Sequence, residues 1–127
     1  SKKMDLTLEH PGDHLFIRSV TAEGIRVVDE YYDGPIILSP ESIISDWAVT
    51  DAAELSEEQL EPILQLKPEI VLIGTGSKQV FLPPELMMFF YSRNTGFEVM
   101  TTDAACRTFN VLASEGRKVV AALLPVS

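Results

Sequence analysis

The sequence predicts a single α/β domain: N-terminal antiparallel strands joined to a central mixed, mainly parallel sheet, flanked by about three helices. Three observations carry this expectation. The 127 residues make one typical domain, residues 1–127, with enough chain to bury about two-thirds of its unfolded surface. The apolar period changes along the chain, from alternation in the first half to helical spacing from Ser56 onward. Two unbroken apolar runs, Ile70 to Ile73 and Val119 to Leu124, have the composition of strands covered on both faces.

In order, Asp5 to Glu9 alternates apolar and polar residues, and Leu15 to Val20 leads through Gly24 into Ile25 to Tyr32, a hairpin with Gly24 available for positive φ. Asp33-Gly34-Pro35 breaks that strand, and Ile36 to Leu38 begins another. Ser56 is placed to cap a helix whose first turn carries Glu57 and Glu58 and whose apolar positions are Leu60, Ile63 and Leu64. Pro62 falls inside it, so the helix is expected to be short or kinked. Strand Ile70 to Ile73, a helix near Pro84 to Asn94, strand Phe97 to Met100, a helix from Asp103 to Glu115 ended by Gly116, and a strand within Lys118 to Val126 then alternate. Short links between them imply βαβ units.

Composition removes several functional classes. Ten Lys and Arg against 19 Asp and Glu give a net charge of −9, which repels nucleic acid in the absence of a basic patch. No apolar run reaches the roughly 20 residues of a transmembrane helix, and the N-terminal residues have no export pattern. The single cysteine, Cys106, excludes an intramolecular disulfide, and a reducing cytoplasm is expected. His10 and His14 lack the helical spacing of a metal pair. The acids Glu57 and Glu61, and Asp29, Glu30 and Asp33, read as solvated faces, and Ser39 and Ser42 lie outside any nucleophile elbow. No metal or cofactor is expected.

The segment Gly74-Thr75-Gly76 after an apolar strand suggests a phosphate loop. A dinucleotide fingerprint would need glycine at Gln79 and a helix starting there, but Val80 to Pro84 intervenes; a P-loop would need Ser or Thr at Gln79. The glycines therefore read as a tight turn out of a buried strand, with small-anion binding as the alternative. In a parallel sheet this turn and the start of the last helix emerge at the same end. Thr101, Thr102 and Arg107 could thus line one crevice with Gly74, Thr75 and Gly76, helix-start N–H groups facing an anion. On that helix Ala105, Phe109, Leu112 and Ala113 form the core stripe, and Arg107, Asn110 and Ser114 share another face. Cys106 combines a first-turn position beside Arg107, which lowers a thiol pKa, with an apolar border, which raises it.

Glu85 to Asn94 is apolar almost all round, with Leu86, Phe89 and Phe90 on one side and Met87, Met88 and Tyr91 toward the other. Such a helix is either covered on several sides or offers Met87, Met88 and Tyr91 to a protein partner or a second copy. Trp47 reads as core before ligand platform.

Taken together, Trp47 in Ser45 to Val49, the Pro68 to Gly76 strand and turn, Leu82 to Leu86, and above all Gly96 to Leu124 with Met100-Thr101-Thr102, Ala105 to Asn110 and Glu115 to Arg117 resemble a known small α/β family. That family includes a mitochondrial assembly factor of complex I (NADH:ubiquinone oxidoreductase), the adipogenesis-associated protein and many bacterial members of unknown function. The resemblance implies a compact fold with a central mixed sheet, no established enzyme activity and, for the mitochondrial relative, a role in building respiratory complex I. It supplies no catalytic residues. The positions it matches are Trp47, Gly74, Thr75, Gly76, Thr101, Thr102, Arg107, Asn110 and Arg117. The resulting expectation is a bacterial, cytoplasmic, non-catalytic interaction or assembly module whose partners include respiratory-complex subunits, the alternative being a small-ligand protein or weak enzyme at the Gly74 to Arg107 crevice.

Overall fold

The computed structural model describes residues 14–49 and 51–126, so the strand expected at Asp5 to Glu9, and His10, lie outside the described residues. Strands β1 (Ile17–Thr21), β2 (Gly24–Val27) and β3 (Glu30–Tyr32) form an antiparallel meander. Ile25 to Tyr32 is thus not one strand. Val28, at φ 54°, turns the chain back on itself, pairing Val27 with Glu30 and Arg26 with Tyr31. Gly24 is required where it stands: at φ 146°, any Cβ would lie 2.7 Å from the Tyr32 carbonyl oxygen.

A second, five-stranded sheet contains β4 (Ile36–Leu38), β5 (Ile43–Ile44), β6 (Ile70–Gly74), β7 (Gly96–Met100) and β8 (Val119–Leu123) in the order β5-β4-β8-β6-β7. β6 runs parallel to both β7 and β8, while β4 is antiparallel to β8 and β5, so the sheet is mixed with a parallel centre. The helices are α1 (Glu57–Leu64), α2 (Pro84–Tyr91) and α3 (Thr102–Ser114), with one 3-10 turn at Ala52–Glu54. Pro62 shortens α1 rather than bending it. It has no N–H to offer the carbonyl one turn earlier, and the helix ends two residues later.

The central strands bury both faces, as their apolar runs require. Leu72, Val119, Ala121 and Leu123 join α3 and the three-stranded sheet in one core, around Phe109, Ile25 and Val27. Val71, Ile73, Val120, Ala122 and Leu124 point the other way, into a core with Leu60, Ile63, Leu86, Phe89, Phe90 and Trp47. A period of two on each strand thus sorts neighbours into separate cores. Among the described residues the edge strand β7 has only β6 as a partner, and it is half buried at best.

Candidate functional site

The Gly74-Thr75-Gly76 turn and the start of α3 do meet at the carboxyl end of the parallel strands. Thr102, fully buried, is the centre: its Oγ1 donates to the Leu124 carbonyl at 2.6 Å and accepts the Gly76 N–H at 2.9 Å, while its own N–H donates to the Gly76 carbonyl at 2.9 Å. Gly74 must be glycine because a Cβ would lie 2.8 Å from Thr102 Cα, which is backbone and cannot yield. Thr75 Oγ1 donates to the Lys78 carbonyl at 2.7 Å and accepts the Val80 N–H at 3.2 Å, and the Thr75 N–H reaches the Met100 carbonyl at 2.9 Å. Thr101 caps α3, its Oγ1 accepting the Ala104 N–H at 3.3 Å.

The crevice residues therefore spend their hydrogen bonds on one another. Three N–H groups that an anion would want, those of Thr75, Gly76 and Thr102, already have partners. Arg107 is exposed and paired with Asp103 one turn back, a pair that places a carboxylate at the helix start.

Other matched positions lie elsewhere. Asn110 reaches across to β1, where its Nδ2 donates to the Ile17 carbonyl and its Oδ1 accepts the Ile17 N–H, both at 2.8 Å. It acts as a missing strand neighbour and locks α3 onto the small sheet. Trp47 is buried, and its Nε1 donates to the Gln59 carbonyl at 2.9 Å, pinning the chain before α1. Arg117 lies at the opposite end of the sheet. Its Nε meets Glu69 Oε1 at 3.0 Å, and the same oxygen accepts the Lys118 N–H at 3.0 Å. That backbone bond first, and Arg117 second, hold the Glu69 carboxyl below its ordinary pKa. Lys67, Arg117 and Lys118 line a cleft of about 540 Å³ there.

Cys106 faces the core. Burial, and secondarily Asp103, push its thiol up to about 12, outweighing Arg107. His14 Nδ1 bonds to the Leu15 carbonyl at 2.9 Å, and Ser39 accepts the N–H groups of Glu41 and Ser42 in a local turn.

The α2 surface is open in contrast. Leu86, Phe89 and Phe90 are buried, while Met87 is 37%, Met88 60% and Tyr91 59% exposed. The side division read from the sequence is the one observed. Phe81, on the loop that leads into α2, is 86% exposed, an apolar side chain sequence reasoning missed; its place between Val80 and Leu82 in a run leading to two prolines was the available signal. On β7, Phe97 is half buried, its ring 5.3 Å from that of Tyr91 and stacked 4.9 Å from Phe90, so the helix surface continues onto the sheet edge.

Similarity to known proteins agrees with this architecture. The chain is 34% identical over 113 residues to the Mus musculus NADH dehydrogenase [ubiquinone] 1 alpha subcomplex assembly factor 3, covering 87% of this chain and 60% of that protein. It spans about that share of several other assembly factors of the same name. It is 35% identical over 89 residues to a Francisella tularensis 13 kDa major membrane protein, covering 69% of this chain and 72% of that one. Among the described residues no helix is long and apolar enough to cross a membrane. The solution structure of a Bordetella pertussis protein, an Mth938-like domain, superposes with a TM-score of 0.80 at 29% identity, covering 98% of this chain and 94% of that one. Residues 17–124 match the family model described as a protein of unknown function (DUF498/DUF598), and the chain belongs to that family.

Proposed function

We propose that this protein is a non-catalytic interaction module that assists the assembly of a larger complex, with subunits of a respiratory NADH dehydrogenase as its clients. The carrying observation is the row of exposed apolar side chains on α2, Met87, Met88 and Tyr91, with the Tyr91 ring against the half-buried Phe97 of β7, on a chain of net charge −9. Exposed Met and aromatic groups are typical anchors of protein interfaces, and a surface helix without a partner gains nothing from them. The assembly-factor relatives supply the kind of client, and this chain's match to about 60% of their length makes the role a proposal here.

The anion-binding alternative has less support, since the Thr75, Gly76 and Thr102 amides are internally satisfied and Asp103 stands at the helix start. The test is affinity capture from a detergent-solubilised lysate of the source organism, comparing the native chain with a folded Met88→Glu, Tyr91→Glu variant. Recovery of NADH dehydrogenase subunits by the native chain alone is the expected result. Equal recovery by both chains, or none by either, would reject the reading.

A further inference from the structure

The exposed helix surface borders an open sheet edge, and this suggests how a partner is held. Among the described residues β7 pairs with β6 on one side only. The Gly96 N–H donates to the Glu69 carbonyl and the Met100 carbonyl accepts the Thr75 N–H, so Gly96, Glu98 and Met100 turn their backbone groups inward. By strand alternation Phe97 and Val99 turn theirs outward. The Val99 carbonyl confirms that direction: it receives Gln79 Nε2 at 3.0 Å from the loop beside the edge. The Phe97 N–H and carbonyl and the Val99 N–H have no bonded partner among the described residues.

We propose that β7 is the docking site for an extended segment of a client protein, added as a sixth strand, whose apolar side chains lie toward Met88, Tyr91 and Phe97 and which places a basic residue opposite Glu98. This rests on the interaction-module reading and adds the mode of recognition. An open edge offers main-chain bonds that only extended backbone can use, and Phe97 and Val99 point to the α2 side while Glu98 points to the other. The charge at Glu98 selects the occupant. A second copy joined so that Phe97 of each pairs with Val99 of the other would set Glu98 directly against Glu98, where like charges repel, on top of the repulsion of two chains of net charge −9. A client with Lys or Arg at that position turns the same contact into an attraction.

The test adds Val99→Pro to the capture experiment. Proline there removes an outward N–H and no bond to β6, a substitution tolerated on edge strands. The expected result is at least tenfold weaker capture by Val99→Pro. In the native complex, hydrogen exchange should show new protection at the Phe97 and Val99 amides. Glu98→Lys should weaken binding about two- to fivefold. Undiminished capture by Val99→Pro with loss in the Met88→Glu, Tyr91→Glu variant would overturn strand addition and leave the interaction reading standing. Freely exchanging Phe97 and Val99 amides in the complex would do the same, without relying on any variant. A native dimer in light scattering that Val99→Pro dissociates would assign the edge to a second copy, against the proposal. Capture of nothing by any form would overturn both.

Discussion

Helices α3 and α2 lie on opposite faces of the same sheet and are finished in opposite ways. α3 is capped by Thr101, roofed by the small sheet, tied to it through Asn110, and closed at its end by paired bonds from Gly116 N–H to the Ala113 carbonyl and Arg117 N–H to the Leu112 carbonyl. α2 begins at Pro83 with no side-chain cap, buries Leu86, Phe89 and Phe90, and leaves its outer side bare. Thr102 and Asn110 on α3 are therefore explained by the fold itself. The exposed Met87, Met88 and Tyr91 on the outer side of α2 are not, and it is there that a partner has something to gain.

That contrast can be broken or sharpened by substitution. Phe109→Ala, in the centre of the α3 core, should cost about 3–5 kcal/mol in urea denaturation, and a much smaller loss would mean that α3 is less tightly held than its contacts imply. Thr102→Val leaves a Gly76 N–H and a Leu124 carbonyl unpaired in the interior and should cost about 2–6 kcal/mol, two buried groups at about 1–3 kcal/mol each. Asn110→Ala severs two bonds between α3 and β1 in a partly exposed setting. A loss of about 1–2 kcal/mol is expected, together with faster exchange of the Ile17 amide.

Cys106 gives the comparison a pH axis. Its folded pKa is raised from an ordinary 9.0 to about 12, so the folded state holds the thiol proton more tightly than the unfolded chain. The associated stability is fully present below about pH 9 and is lost as pH rises through the interval to about 12. Native protein should resist iodoacetamide at pH 8 and react only when unfolded, and Cys106→Ala should flatten the alkaline fall; rapid native alkylation would contradict the burial of α3. The smallest effect belongs to α2: Met88→Glu with Tyr91→Glu should change stability by no more than about 0.5 kcal/mol per site while removing partner capture. A large destabilisation would instead make these side chains structural.

Periodicity made the second half legible. The two-face burial of β6 and β8, the three helices and the inner and outer sides of α2 all follow from patterns local to a few residues. Two kinds of feature did not. Val28 adopts a left-handed conformation that a β-branched residue seldom takes, so nothing in Ile25 to Tyr32 announced the turn that splits it. The roles of Thr102 and Asn110 depend on Leu124 and Ile17, partners distant in sequence whose positions are fixed only when the sheets assemble. A polar residue on a helix face reads the same whether it awaits a ligand or a backbone, which is why the crevice was legible as a meeting place and its self-satisfaction was not.

The position of β8 between β4 and β6 governs the order in which this molecule can be made. Residues near Ile36 wait for residues near Leu123 before their strand has a neighbour on that side, a long-range closure that slows folding. Until β8 arrives on the ribosome, β4 and β6 are two unjoined apolar edges. A chain interrupted before Val119 would keep α2 and β7 but lose the strand that unites the halves, and would be expected to occupy chaperones rather than clients.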